Sequence, residues 1–233
     1  SVFGAGEVVF DGCEMDSGKF SFKRAILGSG AFSFEEVMFE NVDVSFERTL
    51  FSDEQLSFYK SWFSSLSLCF CHLDGFLDLR VNRCSTIELS NTVVRDIIDM
   101  NPHDFTAQID TLHMGGMRLL GRLYLDWNRN HVKGMIYSQV NSSHLLRAEQ
   151  FRILKENFKN LGLYNAEDYA YVEFKRCESK ALLSESVKER PLTAIYQYPL
   201  YWFKLALFDK AGLYATSPVR VLITMFTFFV LFS

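Results

Sequence analysis

Residues 20–39, FSFKRAILGSGAFSFEEVMF, contain the pattern that decides the fold: Phe22 and Phe34 each begin the same Phe-x-x-small-x-large unit, twelve residues apart. The spacing continues along the chain at Phe10, Phe22, Phe34, Phe46, Phe58 and Phe70. A column of small or β-branched residues keeps the same period at Cys13, Ala25, Val37, Thr49 and Ser61. Repetition at a fixed period predicts a repeat fold in which each unit packs on its neighbours.

Each unit is expected to supply two short strands. Apolar residues alternate at positions 30, 32 and 34 and again at 37 and 39, and Glu35 and Glu36 break the phase. Alternation predicts a strand and the phase break predicts a corner. Twelve residues give a perimeter of only about 40 Å, too narrow for Phe pairs inside. We therefore expect a right-handed parallel β-solenoid with two units per turn, which continues past a one-residue slip near Asp74 and Gly75 to Trp127.

The composition narrows the function classes. The chain of 233 residues has 23 Phe and a net charge of only −4, so a nucleic-acid partner is not expected. The five cysteines are an odd number in a chain too large to need disulfides, which favours a reducing compartment such as the cytosol. No signal peptide is expected in residues 1–10, since no basic segment precedes an apolar run there.

A helical hairpin is predicted over residues 141–190, after a solenoid domain of residues 1–130. Ser143 and its neighbours are N-cap residues, apolar residues then follow at helical spacing, and Gly162 is a C-terminal stop. Asn165 is predicted to cap the second helix. We expect this hairpin to pack and to cap the open end of the solenoid, with a tetratricopeptide-like peptide groove as the alternative.

Residues 191–233 have the character of a membrane-proximal segment. Residues 191–217 are aromatic and basic, and residues 218–233 begin an apolar run that predicts a truncated transmembrane helix, with a buried core helix or a hydrophobic tail as the alternative. The side chains expected at the membrane interface are Tyr201, Trp202, Lys204, Lys210, Tyr214 and Arg220. Because Lys and Arg precede the run, residues 1–217 are predicted on the cytoplasmic side of the membrane.

The units FKRAIL (residues 22–27) and FEEVMF (residues 34–39) resemble pentapeptide-repeat β-helices. This sequence departs from that family because its spacing runs five, five, two and it lacks the Ala-Asp/Asn-Leu core. The order of solenoid, hairpin and the segment LFDKAGLYATSPVRVL resembles microbial pentapeptide-type membrane proteins. Some members of that group resemble two-span potassium-channel pores, which implies an ion-channel-like module and a homo-oligomer.

Catalytic and metal chemistry find little support in the residue pattern. The enzymatic alternative is a β-solenoid polysaccharide lyase or hydrolase, whose acid and base would come from Asp96, Asp99, Asp104 and Asp110. Cys69, Cys71 and His72 lack a second ligand pair at zinc spacing, and a Cys-x-Cys in a strand is expected to place both sulfurs on one face. No cofactor or metal is expected.

The sequence therefore predicts a non-enzymatic scaffold, assembly or sensor domain of a membrane protein. Its partner is the lipid bilayer, and a protein partner is compatible with the same role.

Overall fold

The computed structural model describes residues 1–4, 6–28, 30–51, 55–211 and 213–232. The chain forms two compact units, Ser1–Asn141 and Ser142–Ser233. Unit 1 holds every described strand and one short helix, whereas unit 2 is helical.

Unit 1 is a parallel β-solenoid of about five turns. Its strands are β1 (Val2–Phe3), β2 (Val8–Val9), β3 (Glu14–Ser21), β4 (Ile26–Leu27), β5 (Phe32–Ser33), β6 (Met38–Ser45), β7 (Leu50–Phe51), β8 (Leu56–Ser57), β9 (Trp62–Ser67), β10 (His72–Leu73), β11 (Leu77–Asp78), β12 (Arg83–Glu88), β13 (Val93–Val94), β14 (Ile97–Asp99), β15 (Gln108–His113), β16 (Arg118–Leu119) and β17 (Arg122–Tyr124). Every third strand joins the same sheet: β1 begins sheet 1, β2 begins sheet 2 and β3 begins sheet 3.

One coil contains two of the twelve-residue units, as the sequence predicts. In sheet 1, Val2 pairs with Ile26, and Ile26 pairs with Leu50, so each of these steps between coils equals two whole units. Later coils differ in length. From Leu50 the pairing continues to His72, then to Val93 and then to Arg118. The first two of these steps contain fewer residues than two whole units, and the third contains more. The solenoid therefore tolerates changes of coil length while its sheets remain parallel.

The Phe-x-x-small segments form the corners. Ala25 N donates to Phe22 O at 2.9 Å, and Thr49 N donates to Phe46 O at 2.9 Å, which closes a four-residue turn at each place. The third turn residue is left-handed, with φ between 55° and 68°, at Gly12, Arg24, Glu36, Arg48, Lys60, Phe70, Asn91 and Gly116. This backbone costs a non-glycine residue about 1–2 kcal/mol, so the stacked coils hold a conformation that the residue types do not favour.

The small column has a hydrogen-bonding role as well as a packing role. Thr49 Oγ1 donates to Phe22 O at 2.7 Å, Thr92 Oγ1 donates to Leu68 O at 2.6 Å, and Ser61 Oγ donates to Phe34 O. All three side chains are fully buried. Each hydroxyl thus satisfies a corner carbonyl of the preceding coil, which a buried apolar residue could not do.

The core contains two ladders of stacked phenylalanine rings. Phe10 stacks on Phe34 at 4.9 Å between ring centroids, and Phe34 stacks on Phe58 at 5.3 Å. On the other side of the coil, Phe22 stacks on Phe46 at 4.9 Å. Alternate members of the predicted column therefore belong to two ladders, as two units per coil require.

Phe70 does not join a ladder, and the prediction that it continues the column is wrong. Leu68 takes the core position and is fully buried, whereas Phe70 lies at a left-handed corner with 47 % of its surface exposed. The cause is a shortened coil: the register moves from Phe39–Phe63 to Asp43–Ser65, so two residues are lost within sheet 3.

The predicted one-residue slip is confirmed. Leu50 pairs with His72 in sheet 1, whereas Leu56 pairs with Leu77 in sheet 2, so the step between these coils is shorter in sheet 2 by a single residue. That residue is lost between β10 and β11, where Asp74 and Gly75 lie.

Glycine is required where the chain passes from sheet 1 to sheet 2. A Cβ on Gly30 would lie 2.0 Å from Gly6 O, and one on Gly121 would lie 1.8 Å from Asp96 O. Neighbouring coils touch there through backbone atoms. Another glycine, Gly116, lies at a corner of the solenoid with φ 68°.

Gly121→Ala is expected to destabilise the solenoid by about 3 kcal/mol, the upper end for overpacking, because backbone must move to admit the methyl group. Urea unfolding followed by circular dichroism measures the change. Gly4→Ala is the matched control, since a Cβ there meets nothing within 4 Å. An unchanged unfolding midpoint for Gly121→Ala would show that the coils are not in backbone contact at this corner.

The last strand of sheet 3 is covered by a helix that the sequence patterns did not predict. Helix α1 (Val132–Tyr137) packs on β15. Gln139 Nε2 donates to Leu112 O at 2.5 Å, Ser138 Oγ donates to Asp110 O at 2.7 Å, and Asn130 Nδ2 donates to Met100 O at 3.0 Å. Gln139 and Ser138 thus occupy carbonyl groups of β15 that a further strand would otherwise pair, and Asn130 joins the segment before α1 to the residue that follows β14.

Unit 2 begins with two helices that pack on each other, α2 (His144–Asn160) and α3 (Tyr164–Glu189). Ser143 caps α2 as predicted, because its side chain accepts from Leu146 N at 3.1 Å. Gly162 ends it with φ 71°. The predicted cap at Asn165 is wrong: α3 already begins at Tyr164, which places Asn165 inside the first turn.

The rest of unit 2 is a series of short helical segments. They are a 3-10 turn (Pro191–Thr193), α4 (Ala194–Lys204), a π-helical segment (Leu205–Lys210), a second 3-10 turn (Leu213–Ala215) and α5 (Pro218–Phe232). Within the described residues, no helix combines the length and apolar character needed to cross a membrane. The predicted span corresponds to α5, which has 15 residues.

Candidate membrane-interface site

The segment from residue 191 onwards exposes an unusual number of large apolar side chains. Those before α5 are Leu192, Ile195, Tyr196, Tyr198, Leu200, Trp202, Phe203, Leu207 and Phe208. Those in α5 are Val219, Leu222, Ile223, Met225, Phe226, Phe229 and Val230, each at least 59 % exposed. Single exposed apolar residues are ordinary on a protein surface, but clusters mark sites of protein or membrane contact.

The apolar residues of α5 lie on one broad side of the helix. On the opposite side, Thr224 Oγ1 donates to Ala211 O at 3.0 Å and ties α5 to the preceding segment. The apolar side is therefore presented outward, which is the arrangement that a lipid or protein surface could cover.

The six predicted interface residues fall into two groups. Trp202, Lys204, Lys210 and Arg220 are exposed. Tyr201 and Tyr214 are half-buried, and burial is the main cause that raises the pKa of each phenol, with the negative charge of Asp209 adding to it. The exposed group thus combines one large aromatic ring with three cations, a set suited to lipid headgroups.

A buried ion cluster holds this segment against α3. The Arg176 guanidinium donates to Asp209 through Nη2 at 2.7 Å and through Nε at 3.0 Å, and Nη1 donates to Glu173 at 2.6 Å. The two carboxylate side chains are only 6 % and 5 % exposed. Burial opposes the charge of Arg176, but its two acidic partners outweigh burial and raise its pKa above the ordinary value.

Sequence reasoning missed this cluster. Arg176 and Asp209 are 33 residues apart, and no local pattern links them. The signal in the sequence was Asp209, an acidic residue within a segment whose other charged residues are basic.

A left-handed turn follows the cluster. Leu213, Tyr214 and Ala215 have φ values of 44°, 55° and 68°. Three consecutive non-glycine residues in this region are strained, at about 1–2 kcal/mol each. The chain thus enters α5 through a backbone that the surrounding contacts must hold in place.

The aspartates of the enzymatic alternative do not form one site. Asp99 lies 3.7 Å from the Arg80 guanidinium, and Asp104 accepts from Tyr59 Oη at 3.0 Å. Since the Arg80 guanidinium lies 4.8 Å from the centre of the Tyr59 ring, these two aspartates share one cluster. Asp110 lies in β15 of sheet 3, and Asp96 lies between β13 and β14.

The acidic side chains of that cluster are held in ion pairs and hydrogen bonds, as is common on a protein surface. The hydrogen bond from Tyr59, with the nearby Lys60, lowers the pKa of Asp104. Asp78, 3 % exposed, pairs with Arg80 at 2.5 Å. A general acid requires a raised pKa, which is the opposite of the shift at Asp104.

Cys69 and Cys71 lie at a corner, and His72 begins β10. The expectation that both sulfurs share one strand face is wrong, because Cys69 precedes the left-handed Phe70 and lies in the turn. Cys71 Sγ donates to Phe46 O at 3.0 Å, and burial raises its pKa to about 12. Among the residues that the structure describes, no group of three or more His, Cys, Asp or Glu is placed to hold a metal ion.

Comparison with protein-family models, with curated proteins and with solved structures gave no match.

Proposed function

We propose that the chain is a non-enzymatic scaffold, assembly or sensor module that attaches to a lipid bilayer through residues 191–232. The observation that carries this proposal is the outward-facing apolar side of α5, next to the exposed Trp202 and the cations Lys204, Lys210 and Arg220. Bilayer contact would cover this apolar surface, and the adjacent aromatic and basic side chains suit the headgroup region.

The finer parts of the proposal are supported by the sequence. The proposed orientation has residues 1–217 on the cytoplasmic side and α5 in a membrane-inserted segment, and the basic residues before α5 support it. A right-handed pentapeptide-like solenoid and an assembly role in a two-span, potassium-channel-like homo-oligomer rest on the resemblance of the repeat and of LFDKAGLYATSPVRVL. Cation currents recorded with the protein in planar bilayers test the channel role.

The membrane contact predicts a large effect of charge on α5. The double variant Ile223→Asp, Phe226→Asp is expected to lower partitioning into liposomes of zwitterionic and anionic lipid about 100-fold or more, since one Asp at the centre of an inserted helix costs about 3 kcal/mol. Liposome flotation with quantitative immunoblotting measures the bound fraction.

The matched control places the same charges on exposed apolar residues of unit 1. Leu120 and Val140 are 63 % and 80 % exposed, so Leu120→Asp, Val140→Asp is expected to bind liposomes as the parent chain does. Equal flotation of the α5 double variant and the parent would remove the basis of the proposed membrane role.

A further inference from the structure

Residues 191–233 contain only four charged residues, Lys204, Asp209, Lys210 and Arg220. Lys204, Lys210 and Arg220 are exposed. The one acidic side chain, Asp209, is 6 % exposed, and its carboxylate accepts from the Arg176 guanidinium of α3. The pair with Arg176 therefore withdraws the carboxylate from the surface, and the charged side chains that this segment presents to solvent are all cations.

One side of α4 and of the π-helical segment packs within unit 2. Tyr201, Leu205 and Asp209 recur there every four residues and are the least exposed positions between residues 201 and 209. The residues between them are exposed, and they include Trp202, Phe203, Lys204, Leu207 and Phe208. An exposed side that carries bulky apolar residues and cations has the composition of a helix that lies at a bilayer surface.

The exposed cations do not take part in the ion pairs described in unit 2. The cations of those pairs are Lys155, Lys175 and Arg176. The charges of Lys204, Lys210 and Arg220 can therefore neutralise anionic groups that belong to a partner.

We propose that residues 191–232 bind anionic phospholipid in preference to zwitterionic phospholipid, with Lys204, Lys210 and Arg220 at the anionic headgroups. This inference rests on the membrane contact proposed above and adds the class of lipid. A zwitterionic bilayer has no net surface charge, so exposed cations gain little from it. An anionic leaflet has a negative surface potential that attracts basic side chains close to it.

The total charge of the chain predicts the opposite preference. At pH 7 the net charge is −4, so the average charge of the chain is repelled by an anionic bilayer. A preference for anionic lipid therefore has to come from the local placement of Lys204, Lys210 and Arg220. The cytoplasmic leaflet carries anionic lipid, which agrees with the cytoplasmic side proposed for residues 1–217.

Liposome flotation of the whole chain measures the preference. The two lipid compositions are phosphatidylcholine alone and phosphatidylcholine with about one third phosphatidylserine. Each cation is expected to strengthen binding to the anionic liposomes about fivefold at about 0.1 M salt, so the partition coefficient is expected to be about 100-fold higher on them. At about 1 M salt the screening length falls from about 10 Å to about 3 Å, and most of the preference is expected to disappear.

Two triple variants separate local charge from total charge. The first, Lys204→Gln, Lys210→Gln, Arg220→Gln, is expected to bind anionic liposomes about 100-fold more weakly and phosphatidylcholine liposomes within about twofold of the parent. The matched control is Lys19→Gln, Lys159→Gln, Arg118→Gln. Its residues are exposed and lie outside residues 191–233, and it changes the total charge equally, so it is expected to keep the full preference.

Three results would overturn this inference: equal binding of the parent chain to both lipid compositions, an unchanged preference in the first variant, or equal losses in the first variant and the control. Each of them leaves the membrane contact standing, because binding to phosphatidylcholine is measured separately. Binding to neither composition would instead remove the proposed membrane role together with this inference.

Discussion

Phe46→Ala is expected to lower the free energy of unfolding of the solenoid by about 3–5 kcal/mol. Phe46 is fully buried and stacks on Phe22 with ring centroids 4.9 Å apart. It also contacts the rings of Phe34 and Phe58 edge-on, each at 5.8 Å. Removing the ring therefore opens a cavity between three coils, and stacked backbone on both sides limits how far the site can collapse.

Phe70→Ala is the matched control, because the sequence places Phe70 in the same twelve-residue column. Its ring is partly exposed and lies 5.2 Å from the Arg48 guanidinium, a contact worth about 1 kcal/mol or less at an exposed site. Phe70→Gly is expected to stabilise the chain by about 1 kcal/mol, since glycine relieves the left-handed backbone.

Urea unfolding of these three variants, with the two-unit chain followed by tryptophan fluorescence and circular dichroism, measures the differences. Equal losses of unfolding free energy for Phe46→Ala and Phe70→Ala would mean that the core column continues unbroken to Phe70. The two-residue loss described for sheet 3 would then be incorrect. A large loss for Phe46→Ala alone supports the register described here for sheet 3.

The repeat could be read from the sequence because its period is set by local geometry. Alternation from Phe32 to Phe39 and the polar break at Glu35 and Glu36 each describe one strand pair and one corner. The number of units per coil followed from the width that a Phe core needs. Because these features repeat, a position that is assigned wrongly in one unit can be recognised by comparison with the other units.

The one-residue slip near Asp74 could be predicted from the sequence, but the two-residue change of register in sheet 3 could not. The loss of two residues between Phe39 and Asp43 in sheet 3 leaves Phe70 in phase with the sequence column but out of phase with the coil. Leu68, an ordinary apolar residue, takes the core place. A column in the sequence is defined by a fixed number of residues, whereas the core positions of a solenoid are defined by strand pairing. The column and the core positions coincide only while every coil has the same number of residues.

The contacts at the end of the solenoid and at the candidate site were also beyond sequence reasoning. Residues 126–139 show neither a strand alternation nor a long helical pattern, and their role depends on the carbonyl groups of β15. The interface residues Trp202, Lys204, Lys210 and Arg220 were found from composition alone. Asp209, whose negative charge adds to the effect of burial in raising the pKa of Tyr201 and Tyr214, belongs to a tertiary ion cluster that composition does not reveal.

Arg176→Met is expected to destabilise the attachment of the π-helical segment to α3 by about 3–5 kcal/mol. The methionine keeps most of the side-chain volume but leaves Asp209 and Glu173 as buried carboxylates without their cation. Breaking a buried pair costs far more than the pair contributes, because the remaining charges must be hydrated or neutralised.

The loss of stability is expected to be local to unit 2, since Arg176, Asp209 and Glu173 all lie within that unit. Hydrogen exchange of the amides of Leu205–Lys210 is expected to accelerate at least about 100-fold, the factor that corresponds to about 3 kcal/mol. Exchange in β11 and β12 of the solenoid is expected to stay unchanged. Faster exchange throughout both units would assign the effect to global unfolding instead.

Lys175→Met is the neighbouring control. Lys175 pairs with Glu178 at 2.7 Å, but both side chains are about one third exposed, so its loss is expected to cost only about 0.5 kcal/mol. Asp209→Asn added to Arg176→Met should recover part of the loss, since it removes one uncompensated charge. If Arg176→Met and Lys175→Met change exchange equally, the buried cluster does not fix the segment that leads into α5, and the left-handed turn at Leu213–Ala215 must be held by other contacts.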